Sequence, residues 1–201
     1  MLESVHDQAA GLLAWRLQPP ARVLAVVASG RGAASLELLW RLRQGCAGLG
    51  LEVAVVEDEP GRWGAGPEPG GVWLWHTPPE EVLRWWPPEA GRPLVGWTLD
   101  PAALVAAYQA VKTLWRGGLA PVVVALPDGA ASAAGAAWQA ARSALERTCA
   151  THLGWVPPVW TLGYDERVPA DPAVESVLCK ALDAAWMWDT PAGVGSVVRP
   201  C

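Results

Sequence analysis

The sequence predicts an α/β fold: a mostly parallel, doubly wound sheet with helices on both faces. Three observations carry this expectation. Continuous apolar runs of strand length stand at 22–28 and 121–126, as expected of strands buried on both faces of a parallel sheet. Segments with helical period separate such runs along most of the chain. The first run, a Gly-containing turn, a helical pattern and a second apolar run at 51–57 together make one βαβ unit.

The elements follow in order. Ser4 caps a predicted helix over 5–16, with Val5, Ala9, Leu12 and Arg16 along one side, and Pro19-Pro20 ends it. The strand over 22–28 leads into the turn Ser29-Gly30-Arg31-Gly32. A helix through Leu36, Leu39, Leu42 and Cys46 is punctuated by Gly48 and Gly50. After 51–57, residues 58–71 read as a loop because Gly, Pro and Glu dominate. A short strand over 72–75 precedes a helix holding Glu80, Glu81, Val82 and Trp86, which Pro87-Pro88 stops. A fourth strand covers 93–98. Asp100-Pro101 is a helix start, with Asp as N-cap and Pro in the first turn. Leu104, Tyr108, Val111 and Trp115 form its apolar stripe, and Gly117-Gly118 closes it. A fifth strand over 121–126 precedes a mostly helical stretch, 130–152, with Trp138, Ala141 and Leu145 on one face. A short sixth strand covers 159–162. Asp171-Pro172 opens a last helix with Val174, Val177, Leu178, Ala181, Leu182 and Trp186 on one face. The tail, 190–201, has no amphipathic pattern, and no repeat or long linker divides the chain.

Composition narrows the function classes. Of 201 residues, 52% are apolar and 17% charged, enough apolar surface for a buried core. A net charge of -5 argues against a surface that grips nucleic-acid phosphates. No apolar run reaches membrane-spanning length, and the N-terminus does not read as a secretory signal. Cys46, Cys149, Cys179 and Cys201 are far apart with no CxxC pair, which fits a reduced, cytoplasmic chain better than a disulfide or zinc framework. The chain has 14 Trp and no Phe, so Trp is read as the large core residue; the alternative is an aromatic platform for a sugar or base.

In a doubly wound sheet, ligands bind beyond the carboxyl ends of the strands, where the turn 29–32 stands. A phosphate-binding loop there needs backbone N–H groups, a lysine on the β- and γ-phosphates and a Ser/Thr on magnesium. The helix that follows instead begins Ala33-Ala34-Ser35-Leu36-Glu37. Leu36 carries no charge and Glu37 repels phosphate. A lone Gly-x-Gly is also what a tight turn needs to pack helix on strand.

The stretch from Val23 to Glu59 resembles the first βαβ of the MinD/ParA group of P-loop ATPases. Arg31-Gly32-Ala33-Ala34-Ser35-Leu36-Glu37 stands at that group's Lys-Gly-Gly-x-Gly-Lys-Thr loop, and Glu57-Asp58-Glu59 at its Asp-x-Asp. Trp73-Leu74-Trp75-His76-Thr77-Pro78 is similar to its Asp-Thr-Pro strand. Val95-Gly96-Trp97-Thr98-Leu99-Asp100-Pro101 with Ala107-Tyr108 is similar to its Thr-x-Pro-Glu…Asp-Ala-Tyr stretch. Val122–Ala125 stands at Val-Val-Asn, and Leu162-Gly163-Tyr164-Asp165 at Ile-Pro-Tyr-Asp. Asp7-Gln8-Ala9-Ala10-Gly11-Leu12 resembles the N-terminal Asp-Gln-Ala-x-x-Leu-Arg helix of the FlhG/FleN flagellar-number regulators.

The resemblance implies a shortened P-loop fold and partner contact through Asp7, Gln8, Leu12 and Arg16. The family's arginine after that leucine is matched by Leu13, and Arg16 lies one turn on. The implied partner is an FlhF-like GTPase, on which Gln8 would orient the attacking water. It also implies a vestigial nucleotide loop made of Gly30, Arg31, Gly32, Glu57, Glu59 and His76. The catalytic lysine and magnesium-ligand positions hold Leu36 and Glu37, His76 replaces the Asp of Asp-Thr-Pro, and Ala125 replaces the base-contacting Asn. Losing those groups removes the terms that dominate phosphoryl transfer. The expectation is therefore a pseudo-ATPase without catalytic residues, cofactor or metal, acting through a protein partner in flagellum number or placement. The alternatives are a divergent ATPase that binds ATP and magnesium through Arg31, the loop amides and Glu57 or Glu59, and an accessory protein of another positioning system. The expected organisation is a partner-binding helix and linker at 1–20, an α/β domain at 21–189 and an irregular tail at 190–201. No stable membrane anchor is expected, since the tail lacks the family's amphipathic membrane helix; a partner would recruit the chain to a cell pole.

Other constellations are weaker. His6, His76 and His152 share no metal-ligand spacing. Ser29 and Ser35 have no His or Asp close in sequence, which leaves a catalytic triad unsupported. Lys112 and Lys180 lie far along the chain, in helical patterns, and offer no replacement for the loop lysine. Trp85-Trp86 reads either as an exposed docking patch or as a pair buried under the shortened loop.

Overall fold

The structure is a computed structural model that describes residues 20–30, 32–63, 67, 70–128, 135–163 and 176–188. Among the described residues, seven strands form one sheet: β1 (Ala21–Val27), β2 (Val53–Val56), β3 (Val72–Thr77), β4 (Leu94–Trp97), β5 (Val122–Ala125), β6 (Val159–Thr161) and β7 (Trp186–Trp188). The order is β2-β3-β1-β4-β5-β6, and every pairing along it is parallel. The chain passes from β1 to the edge at β2, returns to β3 beside β1, and then crosses to β4, β5 and β6 on the other side, the doubly wound topology of P-loop NTPase-type folds. β1 sits centrally and is paired with β3 along Arg22↔Val72 to Val27↔Thr77. Its valines and alanines are buried on both faces, which is why the sequence shows a continuous apolar run there.

Helices cover both faces. α1 (Ala33–Gly48) and α5 (Val177–Asp183) lie over one, burying Leu38, Leu42, Cys46, Leu178 and Ala181 against Leu24, Val26 and Leu74. α2 (Pro79–Trp85), α3 (Pro101–Arg116) and α4 (Ala136–Leu153) lie over the other, where Val82, Val111, Leu114 and Leu145 meet Val23, Trp75 and Trp97. The Asp100-Pro101 start is confirmed: Asp100 Oδ1 accepts from the Ala102 N–H at 3.1 Å. Gly96 in β4 is required by helix packing, since a Cβ there would stand 2.6 Å from the Ala34 carbonyl of α1.

Several expectations are corrected. The buried stripe of α1 is Ser35, Leu38, Leu42 and Cys46, whereas Leu36 is 53% exposed. A leucine-rich helix offers more than one apolar phase, and contact with β4 selects between them. β3 runs to Thr77 rather than stopping at 75, so His76 lies within the strand. α5 begins at Val177, where Ser176 Oγ accepts from the Leu178 N–H. It ends at Asp183, and Trp186 belongs to β7, which pairs antiparallel with β1 at Ala21–Val23. The start at Asp171-Pro172, the helix over 5–16 and the tail 190–201 lie outside the described residues. β7 occupies the side of β1 that β4 reaches only at Val26.

Tryptophan fills the core, as read. Trp73, Trp75, Trp86, Trp97 and Trp138 are buried. Trp63 stacks on Trp73 with centroids 5.1 Å apart, and Trp97 meets Trp138 edge to face at 4.9 Å. Trp86 of the 85–86 pair is buried, its Nε1 donating to Gly91 O at 2.9 Å, while Trp85 lies under the Arg84 guanidinium. The docking-patch alternative for this pair therefore fails at Trp86.

Candidate functional site

The site is built at the carboxyl ends of β1, β2 and β3. Ala28 follows β1, and its N–H donates to Thr77 O at 2.8 Å, so the chain leaves the sheet level with β3. Gly30 then takes φ 56° and Gly32 takes φ 84°, a left-handed conformation that suits glycine. The Gly32 N–H donates to Ser29 O at 3.0 Å and Gly32 O accepts from the Leu36 N–H at 2.9 Å, so α1 starts directly from the turn. Gly30 has a second reason to be glycine: a Cβ would stand 2.7 Å from the Ala106 Cβ of α3.

Ser35, in the first turn of α1, lies 3.0 Å from His76 Nε2 and donates to Gly32 O at 3.0 Å. His76 Nδ1 stands 3.7 Å from Glu57 Oε1. Three residues far apart in sequence thus form a Ser–His–Glu chain that sequence spacing did not reveal. The order of groups is that of a hydrolytic triad, but Ser35 is fully buried and its hydroxyl donates to Gly32 O. The three side chains link the ends of β2 and β3 to the glycine turn.

The neighbouring positions are also engaged structurally. Glu37 Oε1 accepts from Arg41 Nε at 2.7 Å. Arg41 is 3% exposed, and its Nη1 donates to Pro127 O at 2.9 Å and to Leu162 O at 2.6 Å. It therefore joins α1 to the segments just past β5 and β6. Its burial was not foreseen; the signal was a charged residue on the apolar side of a helix. Glu59 turns to Arg62, with 2.9 Å between Oε1 and Nε, and does not join His76. Glu57 is 77% exposed. Among the described residues, no group of three or more His, Cys, Asp or Glu side chains could hold a metal.

A second feature lies across the turn. A depression of about 400 Å³ is bounded by Ser29 and Gly30, by Glu80 of α2 and by Gln109, Lys112 and Thr113 of α3. Lys112 is distant in sequence, yet it lines the same depression as Gly30. α3 starts at the carboxyl rim after β4 and runs back along the sheet face past the turn, where Ala106 approaches Gly30. Glu80 faces into the same space, so the depression holds one charge of each sign.

The structure thus brings Glu57 and His76 together with Gly32 through Ser35, and places Gly30 beside Lys112. It leaves Glu59 apart. Asp7, Gln8, Leu12, Arg16 and Arg31 lie outside the described residues. No helix among the described residues is long and apolar enough to cross a membrane. Compared with known proteins, the chain matches no family model, no curated protein and no solved structure.

Proposed function

We propose that the chain is a non-hydrolysing protein of P-loop NTPase-type topology that acts by binding a protein partner. The observation that carries this reading is the first turn of α1. A phosphate-handling loop places a lysine and a magnesium-binding hydroxyl there. Here Leu36 stands 53% exposed with no charge, and the Glu37 carboxylate is held by Arg41. Ser35 is tied to His76 and Gly32, so no hydroxyl of this turn is free for a metal. The sequence likeness to MinD/FlhG-type regulators supports a role in flagellum number or placement, with Gln8 directed at a partner GTPase. A divergent magnesium-dependent ATPase is the second reading, and Lys112 beside Gly30 is the observation in its favour.

Calorimetric titration of the full chain with ATP, ADP and GTP in magnesium separates the two. The regulator reading expects no heat at millimolar nucleotide. Micromolar binding that Lys112→Met abolishes would establish the second reading. For the partner, Gln8→Ala is expected to remove stimulation of an FlhF-like GTPase without changing the melting temperature. Undiminished stimulation by that variant removes Gln8 from the mechanism.

A further inference from the structure

Strand β2 is the outermost strand of the path β2-β3-β1-β4-β5-β6, and among the described residues no strand pairs with its outer side. Its inner side is set by one bond: the Val72 N–H donates to Glu52 O at 2.8 Å. In a parallel strand, the N–H and C=O of one residue point to the same side, and the side alternates with each residue. Glu52, Ala54 and Val56 therefore face β3 with their backbone groups. Val53 and Val55 present theirs to the open edge.

Natural sheet edges are protected by proline, lysine, a bulge or a covering element. The segment Val53–Val56 holds only valine and alanine, and Val55 is 41% exposed. Beside it lies a depression of about 430 Å³ lined by Val55, Val56, Glu57, Asp58, Arg62 and Trp63. Acidic side chains outnumber basic ones around the edge. Glu52, Glu57 and Asp58 are exposed at its two ends. The cation at the depression, Arg62, is paired with Glu59 at 2.9 Å.

These flanks oppose a second copy as the occupant. In antiparallel pairing of two β2 edges centred on Val55, Glu52 stands opposite the Asp58 of the other copy, and like charges directly opposite destabilise a sheet. The flanks favour the reverse charge. The other edge strand, β6, is three residues long, and 158–163 carry no charge, so it offers neither feature.

We infer that the open edge of β2 is a docking site for an extended, basic segment of a partner protein, which adds as a strand at Val53 and Val55. Its lysine or arginine flanks would face Glu57 and Asp58, and one apolar side chain would enter the depression beside Trp63. Backbone pairing supplies affinity and the acidic ends supply choice of partner. This rests on the reading that the chain works through a protein partner; nucleotide titration tests that reading separately, and a peptide result does not alter its outcome.

The test uses the full chain and two synthetic peptides with the same alternating Val-Thr centre, one flanked by lysines and one by glutamates. Fluorescence anisotropy is expected to show the lysine peptide binding at least about tenfold more tightly at low salt, with the gap closing as salt screens the flanks. Asp58→Lys, checked to melt as the native chain does, is expected to narrow the gap. Amide hydrogen exchange gives the second readout. The Val53 and Val55 N–H groups exchange fast in the free chain and become protected with the lysine peptide, while Ala54 and Val56 are protected throughout. Equal binding of the two peptides, no binding of either, or protection of Val53 and Val55 before peptide is added would each overturn the proposal.

Discussion

Replacing Arg41 by methionine tests what holds the rim of the sheet. The arginine side chain is 1% exposed, and its bonds divide into two kinds. The bond to Glu37 reaches a carboxylate that is 31% exposed, so solvent already screens it and its loss costs on the order of 0.5 kcal/mol. The bonds from Nη1 to Pro127 O and Leu162 O are buried and charge-assisted. Removing the donor strands two carbonyls, at roughly 1–3 kcal/mol each, while burying a methionine in place of a charge returns part of that. The expected net loss for Arg41→Met is about 3 kcal/mol, against about 0.5 kcal/mol for Glu37→Gln. Equilibrium unfolding in urea measures both as shifts in midpoint at unchanged slope. A loss below about 1 kcal/mol for Arg41→Met would show that the two carbonyls do without the guanidinium. Equal losses for both variants would make the ion pair the anchor, and the assignment to the strand-end carbonyls would be wrong.

Other expectations concern the turn and the thiols. Ser35→Ala removes the link between His76 and Gly32 and should cost about 1–2 kcal/mol, with a moved His76 ring resonance in NMR spectra. An unmoved resonance refutes the link. Gly30→Ala should cost about 2–4 kcal/mol, combining a left-handed backbone with the contact at Ala106. Adding Ala106→Gly should restore the contact part alone, and full additivity of the two changes would deny that the sites touch. Burial pushes the Cys46 thiol up to about 11, against a smaller opposing effect of Arg22, and burial pushes Cys149 up to about 11. Folding thus favours the protonated thiol. That stability is complete below the ordinary value of 9.0 and is lost as pH rises toward about 11. Melting temperatures across this window should fall less steeply in Cys46→Ala than in the native chain.

Much of the architecture is legible in the sequence. Periodicity located β1, β5, α3 and the central βαβ unit, because strands buried on both faces leave no polar positions and amphipathic helices repeat their apolar face. Asp100-Pro101 marked a helix start by local chemistry alone. Of the expected site residues, Gly30 and Gly32 were found from turn chemistry, and their positive φ angles follow from it. The phase of α1 escaped, since Leu36, Leu38, Leu39 and Leu42 allow several stripes and only contact with β4 chooses one. β7 escaped because Trp186 continues the helical stripe of α5, while the open flank of β1 below Val26 offers it strand pairing instead.

What the sequence determined by itself is the set of properties that depend on neighbours within one or two turns: strand runs, caps, glycine turns and the missing loop lysine. What only the tertiary structure decided is every relation between distant segments. Ser35 with His76 is separated by 41 positions, Arg41 with Leu162 by 121, and Lys112 comes beside Gly30 from another helix. The cause is topological. Parallel strands bring their carboxyl ends to one rim, so residues meet there by strand order and not by distance along the chain.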